Sequence, residues 1–269
     1  MVKKMKIDTH IHAFPDEIAE RAMKKLSDTA KFPHYSLGTE ADTKRILKET
    51  GVDHGVLLPI ATKPTQQTSI NNWAASLNHD NIISFGTVHP DNENYLDELD
   101  RIKALGLKGV KIHPDYQGFF LFEERLLPFW EKCAKLGLPV AIHMGYDPVT
   151  PAVRHAMPQD LVRVHEKVPE VDIIAAHMGG VFAWEAAEYY VCGDRHIWLD
   201  TAFTQGFLPP EQMKRMIEKH GADRVLFASD LPWHLPDMEM KMIEELDIGE
   251  GDKEKIFWKN AAELLGLNL

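Results

Sequence analysis

Fourteen histidines in 269 residues are what chemistry can use in this sequence, because imidazole carries protons near neutral pH and is the commonest metal ligand. His10 and His12 stand one residue apart in Asp8-Thr9-His10-Ile11-His12. On an extended chain such residues share a face, with Cβ atoms roughly 6–7 Å apart, so both rings can meet at one divalent ion. A His-x-His pair is a weak signal alone. His143 in Ala141-Ile142-His143 and Asp230 in Ala228-Ser229-Asp230-Leu231-Pro232 strengthen it. His10, His12, His143 and Asp230 together offer three nitrogens and an oxygen, a donor set suited to zinc or a similar ion. Asp8 either accepts a hydrogen bond that orients His10 or makes a plain core hydrogen bond. Lys111 and His113, in Gly109-Val110-Lys111-Ile112-His113-Pro114, and Trp233 behind Asp230 are candidates for gripping an anionic or planar small molecule. Arg154 reads as a solvated charge. Gly179-Gly180 either presents backbone N–H groups to an anion or makes a tight turn.

These residues need a scaffold that brings distant segments to one place. Short apolar, β-branched runs at residues 6–12, 55–59, 82–88, 109–113, 139–144, 172–176, 197–201 and 225–229 read as eight strands. Helical patterns lie between them, at residues 16–26 with 42–49, 69–78, 95–105, 124–135, 158–167, 181–191, 210–219 and 238–246. A last helix spans residues 253–264. Regular alternation implies parallel strands with right-handed crossovers. The first strand has no Gly-x-Gly-x-x-Gly after it, which argues against a dinucleotide-binding sheet. Eight units in this length predict an α/β protein, a (β/α)8 barrel in a single domain over residues 1–269 with an extra C-terminal helix. In such a barrel the functional groups sit at the carboxyl ends of the strands. His10, His12, His89, His113, His143, His177 and Asp230 all fall there. His89 and His113, each followed by proline, either touch substrate or close strand-end turns. His54 and His196 fall at the opposite rim, and His34, His79, His155, His165 and His220 read as surface residues.

Composition excludes other classes. Lys and Arg number 30 against 41 Asp and Glu, a net charge of −11, which disfavours nucleic acid and anionic membranes as partners. Apolar runs are strand-sized and no signal core is visible. Two cysteines, Cys133 and Cys192, make no disulfide framework and read as structural thiols. The expectation is a cytoplasmic protein acting on a small molecule, with a homo-oligomer left open.

The five motifs around His10, His113, His143, His177 and Asp230, in this order along the chain, resemble the amidohydrolase superfamily. They are most similar to its amidohydrolase-2 branch of metal-dependent hydrolases and decarboxylases. The resemblance implies one divalent ion, zinc first and manganese as the alternative, held by His10, His12, His143 and Asp230. It implies that Asp230 also takes a proton from bound water, and that His177 contacts that water or the substrate. A second ion would go with a carboxylated Lys111. On these motifs the main expectation is hydrolysis of a small amide, lactone or ester by metal-activated water. The alternative is non-oxidative decarboxylation of a small unsaturated or aromatic acid. A non-catalytic metal-binding barrel is the third reading.

Overall fold

The computed structural model describes residues 5–269. Nine strand segments are paired in parallel: β1 (Ile7–Ile11), β2 (His54–Leu57), β3 (Ile82–Ser84), β4 (Gly86–Thr87), β5 (Val110–Ile112), β6 (Val140–Ile142), β7 (Ile173–Ala175), β8 (Ile197–Asp200) and β9 (Val225–Leu226). β1 to β3 neighbour one another in chain order, as do β4 to β9. Phe85 joins the two runs. Its N–H donates to Leu57 O at 3.0 Å, and the N–H of Gly86 donates to Gly109 O at 2.9 Å, so the chain changes partner in mid-strand. At the other edge, Thr9 N donates to Phe227 O (2.9 Å) and His12 N to Leu231 O (2.6 Å). β3 and β4 are therefore halves of one strand, and the expected eight-stranded (β/α)8 barrel closes.

The interior is packed rather than hollow. Ile7, Val56, Phe85, Ile174, Trp198 and Leu226 fill its floor, against Ala261 and Leu265 of the terminal helix. Because alternate strand residues share a face, His143 stands above Ala141 and Asp200 above Trp198, both at the carboxyl end. Gly145 fixes the next step. Its φ is +93°, and a Cβ there would strike the backbone of Val181, which pairs with it across the loops after β6 and β7.

Three helices differ from the pattern in the sequence. The 181–191 segment becomes helical only at Trp184, because turns through residues 177–183, with Phe182 at φ 56°, occupy its start. A short helix, Pro114–Gln117, follows His113 directly. The C-terminal run starts earlier, at Glu250, and Lys255–Lys259 within it is a π-helix whose Ile256 carbonyl accepts from Phe227 N at 2.9 Å. His220 corrects the surface reading. It is 1% exposed, accepts from Gly193 N and donates to Ile197 O, and burial lowers its pKa to about 4. Cys133 and Cys192 are both buried, and burial pushes their thiols up, that of Cys192 to about 12. No helix among the described residues is long and apolar enough to cross a membrane.

Candidate metal centre

Backbone strain concentrates where the candidate residues lie. His177, Met178, Phe203 and Asp230 hold left-handed φ of 61, 52, 58 and 69° at the ends of β7, β8 and β9. Such conformations cost about 1–3 kcal/mol each and persist only where surrounding contacts enforce them. Met178 N donates to Asp200 O (2.7 Å) and Asp230 N to His10 O (2.9 Å), contacts that aim the His177 and Asp230 side chains inward.

His10 Nε2, His12 Nε2 and Asp230 Oδ1 converge. The nitrogens are 3.2 Å apart, and the oxygen lies 3.4 Å from His10 and 3.2 Å from His12. The protons can be placed from the other ring atoms. His10 Nδ1 faces Asp200 Oδ2 at 2.8 Å and His12 Nδ1 faces Leu58 O at 2.9 Å, both acceptors, so each Nδ1 carries its hydrogen and each Nε2 is a bare lone pair. Burial drives the His10 pKa well down, as does the charge of Lys111, which keeps the ring in the neutral form that binds metal. Two ring nitrogens and a carboxylate oxygen, all metal-ligating atoms, thus meet at one place. Separations of 3.2–3.4 Å suit a tetrahedral set around an ion at about 2.0–2.1 Å from nitrogen, and these residues fit a divalent cation. Lys111 is buried beside the trio, with Nζ 3.4 Å from His10 Nε2. Burial lowers its pKa, against the pull of Asp200 and Asp230.

Asp200 went unnoticed in the sequence. It, and not Asp8, orients the His10 ring. Asp8 accepts from the backbone N–H of His10 (3.1 Å) and from Ser229 N and Oγ (2.9 and 2.5 Å), the core hydrogen bond of the two alternatives. Asp200 also accepts from His177 N through its other oxygen, at 2.8 Å, and burial raises its pKa.

The structure does not bring His143 into the same convergence. It belongs to a second group with His113 and Asp147. His177 Nδ1 faces Ala202 O (3.0 Å), so its Nε2 is bare, and His143 Nδ1, 3.1 Å away, must donate to it. His143 Nε2 is then a bare lone pair, buried and without a partner, 4.0 Å from Asp147 Oδ2. The His143 pKa is driven well down and that of His177 to about 4, both chiefly by burial. In this second group the rings of His113 and His143 stack at 4.2 Å and 10°. Their lone pairs lie in two nearly parallel planes, so as placed these two rings do not point at one ion.

The other expected residues fall into place around this. His113 is buried and also stacks on Tyr116, at 3.7 Å. Trp233 is half-buried beside Asp230, its backbone N–H donating to the Asp230 carbonyl at 2.8 Å. His89 makes its strand-end turn, accepting from Asp91 N, and the N–H groups of Gly179 and Gly180 are taken by Ala175 O and His177 O. Arg154 is exposed. Asp147 and Tyr116 were missed, although each follows a strand-end histidine by three or four residues.

The sequence model of the amidohydrolase family (Amidohydro_2) matches residues 7–267. The chain is 25% identical over 220 residues to gamma-resorcylate decarboxylase of Polaromonas sp. JS666, a match covering 64% of this chain and 66% of the relative. It is 25% identical over 217 residues to 2-amino-3-carboxymuconate-6-semialdehyde decarboxylase of Dictyostelium discoideum, covering 65% and 58%. The match spans less than two thirds of either relative's length. Among solved structures, a dihydroxybenzoic acid decarboxylase of Polaromonas sp. JS666 with bound manganese and the inhibitor 2-nitroresorcinol shares the fold. It has a TM-score of 0.75 at 20% identity, covering 99% of this chain and 98% of that one. With its barrel closed, its strand-end residues converging and its sequence matched from β1 to the terminal helix, this chain belongs to the amidohydrolase family.

Proposed function

We propose that the protein is a metal-dependent, non-oxidative decarboxylase of a small unsaturated or aromatic carboxylic acid. The observation that carries the reading is the convergent trio of ligating atoms, His10 Nε2, His12 Nε2 and Asp230 Oδ1, beside a buried lysine. The motifs alone favour hydrolysis. The names of both curated relatives favour decarboxylation instead.

When bound, a divalent ion supplies a Lewis acid that anchors the substrate carboxylate. His10, His12 and Asp230 would hold it, and we propose His143 as the fourth donor. As placed, the bare His143 Nε2 is aimed at Asp147, so taking up the ion requires this ring to turn, which frees His177 Nε2. Lys111 opposes the negative charge of the acid from the barrel interior. The carbon–carbon bond to the carboxyl breaks, its electron pair stays on the substrate carbon, and carbon dioxide leaves. A proton must then reach that carbon. Asp230, at the edge of the trio, is the residue proposed to take this proton from solvent water and deliver it. His177 stays neutral near pH 7, with Nδ1–H committed to Ala202 O, and presents its freed Nε2 to a hydroxyl of the bound acid.

The test is a screen of the manganese-loaded protein, repeated with zinc. One panel holds unsaturated and aromatic acids, and the other holds lactones, amides and esters. Carbon dioxide from the acid panel is the expected result, lost in Asp230→Asn. Proton release from the second panel, with no carbon dioxide from the first, restores hydrolysis.

A further inference from the structure

Behind the proposed ion site, the second group poses an unanswered hydrogen-bonding problem. Asp147 is buried, and its Oδ1 accepts from Val149 N (2.7 Å) and Thr150 N (3.2 Å). Its Oδ2 receives one hydrogen bond, from Tyr116 Oη at 3.1 Å. Two imidazole nitrogens face the same oxygen beyond hydrogen-bonding distance, His113 Nε2 at 3.6 Å and His143 Nε2 at 4.0 Å. Both carboxyl oxygens of Asp147 face hydrogen-bond donors, the Val149 and Thr150 N–H groups on one side and the Tyr116 hydroxyl on the other, the surroundings of an acceptor. The proton placement above leaves His143 Nε2 an acceptor as well. An Asp147 oxygen with one donor and a bare His143 nitrogen with none therefore confront each other across 4.0 Å. His113 Nδ1, also buried, has no partner either. Unmade bonds of this kind are costly in a buried site, and a ligand that brings the missing hydrogen recovers the cost. With Tyr116 as its single hydrogen-bond donor, Asp147 Oδ2 keeps a lone pair for a further N–H or O–H group.

We propose that Asp147 is a specificity-determining residue. Its Oδ2 accepts a hydrogen bond from a hydroxyl or amino group of the bound acid, away from the carboxyl that the ion anchors. Tyr116 holds the carboxylate in place, and the flat stack of Tyr116, His113 and His143 forms the wall beside it. This rests on the reading of the substrate as a carboxylic acid. It does not depend on His143, since Asp147 Oδ2 stays an acceptor whether that ring remains or turns to the ion.

The test is calorimetry on the manganese-loaded full-length protein. The ligands are benzoate, the three monohydroxybenzoates, the three aminobenzoates and the three methoxybenzoates. At least one hydroxy or amino isomer is expected to bind about tenfold or more tighter than both benzoate and its methoxy counterpart. Asp147→Ala should bring that ratio to within about threefold, with manganese content unchanged. Asp147→Asn keeps an oxygen for Val149 and Thr150, and guards against a loosened loop. It should also shrink the ratio, because its amide is a donor on one side. Equal binding of hydroxy, methoxy and plain acids overturns the proposal, as does a ratio that survives in both variants. If carbon dioxide is released while those ratios stay at one, only the donor subsite falls. If no acid binds at all, the subsite and the decarboxylase reading fall together.

Discussion

Two groups on the carboxyl-end rim each consist of two histidines and an aspartate: His10, His12 and Asp230, and His113, His143 and Asp147. In the first, each imidazole has its Nδ1 pinned by an acceptor from another strand or loop, Asp200 Oδ2 or Leu58 O, and both Nε2 lone pairs turn inward. In the second, the rings lie flat on each other and on Tyr116, and Asp147 is tied to a tyrosine hydroxyl and its own loop. Composition is the same and orientation is not. What makes donors into a metal site is the partner on the far side of each ring, which fixes where the lone pair points. The first group is built to meet a cation and the second to meet a hydrogen-bond donor.

The comparison breaks most visibly at the first group. His10→Ala and His12→Ala should each remove the ion and all turnover, a loss of manganese affinity beyond the roughly 10–100-fold expected for losing an orienting partner. Elemental analysis after dialysis reads it. Retention of a full equivalent in both variants would dismantle the assignment. His177→Ala comes next, with turnover falling about 10²–10⁴-fold and the metal kept. Metal loss there would make His177 a ligand. Asp200→Asn sharpens the point about orientation, because the ring of His10 survives while the carboxyl group facing its Nδ1 becomes an amide. Manganese affinity should fall by about 10–100-fold, measured by titration, and an unchanged affinity would show that Asp200 only tethers the backbone of His177.

The smallest effect lies away from the rim and concerns stability. His220 is neutral in the fold, with its pKa lowered from 6.5 to about 4. The unfolded chain takes up a proton that the folded one refuses, so this contribution is complete above pH 6.5 and is lost as pH falls toward 4. A shift of this size corresponds to about 3 kcal/mol. His220→Gln should flatten the urea-unfolding stability between pH 6.5 and 4 while leaving turnover unchanged. An equally steep decline in the variant would place the titrating group elsewhere.

Much of this was legible in the chain. Each strand-end histidine stands at the end of a β-branched run, so period and punctuation alone put His10, His12, His143, His177 and Asp230 on one rim. The break at Phe85 left no signal, because it depends on which neighbour the backbone pairs with. Asp200 was visible as a strand-end residue, but its role depends on a partner 190 positions away. Asp147 lies in an irregular loop, and only folding sets it opposite His113. For His220 a signal was present. Met213, Met216, Ile217 and His220 recur at helical spacing, and all four are buried. A histidine that completes an apolar stripe belongs to the core.

The central claim is that the first group holds the ion and the second does not. Manganese titration followed by electron paramagnetic resonance, on the wild type, Asp230→Ala and Asp147→Ala, tests it most directly. About one bound manganese per chain is expected in the wild type and in Asp147→Ala, with loss of tight binding in Asp230→Ala. Loss in Asp147→Ala with retention in Asp230→Ala would contradict it, and would move the ion to the stacked histidines.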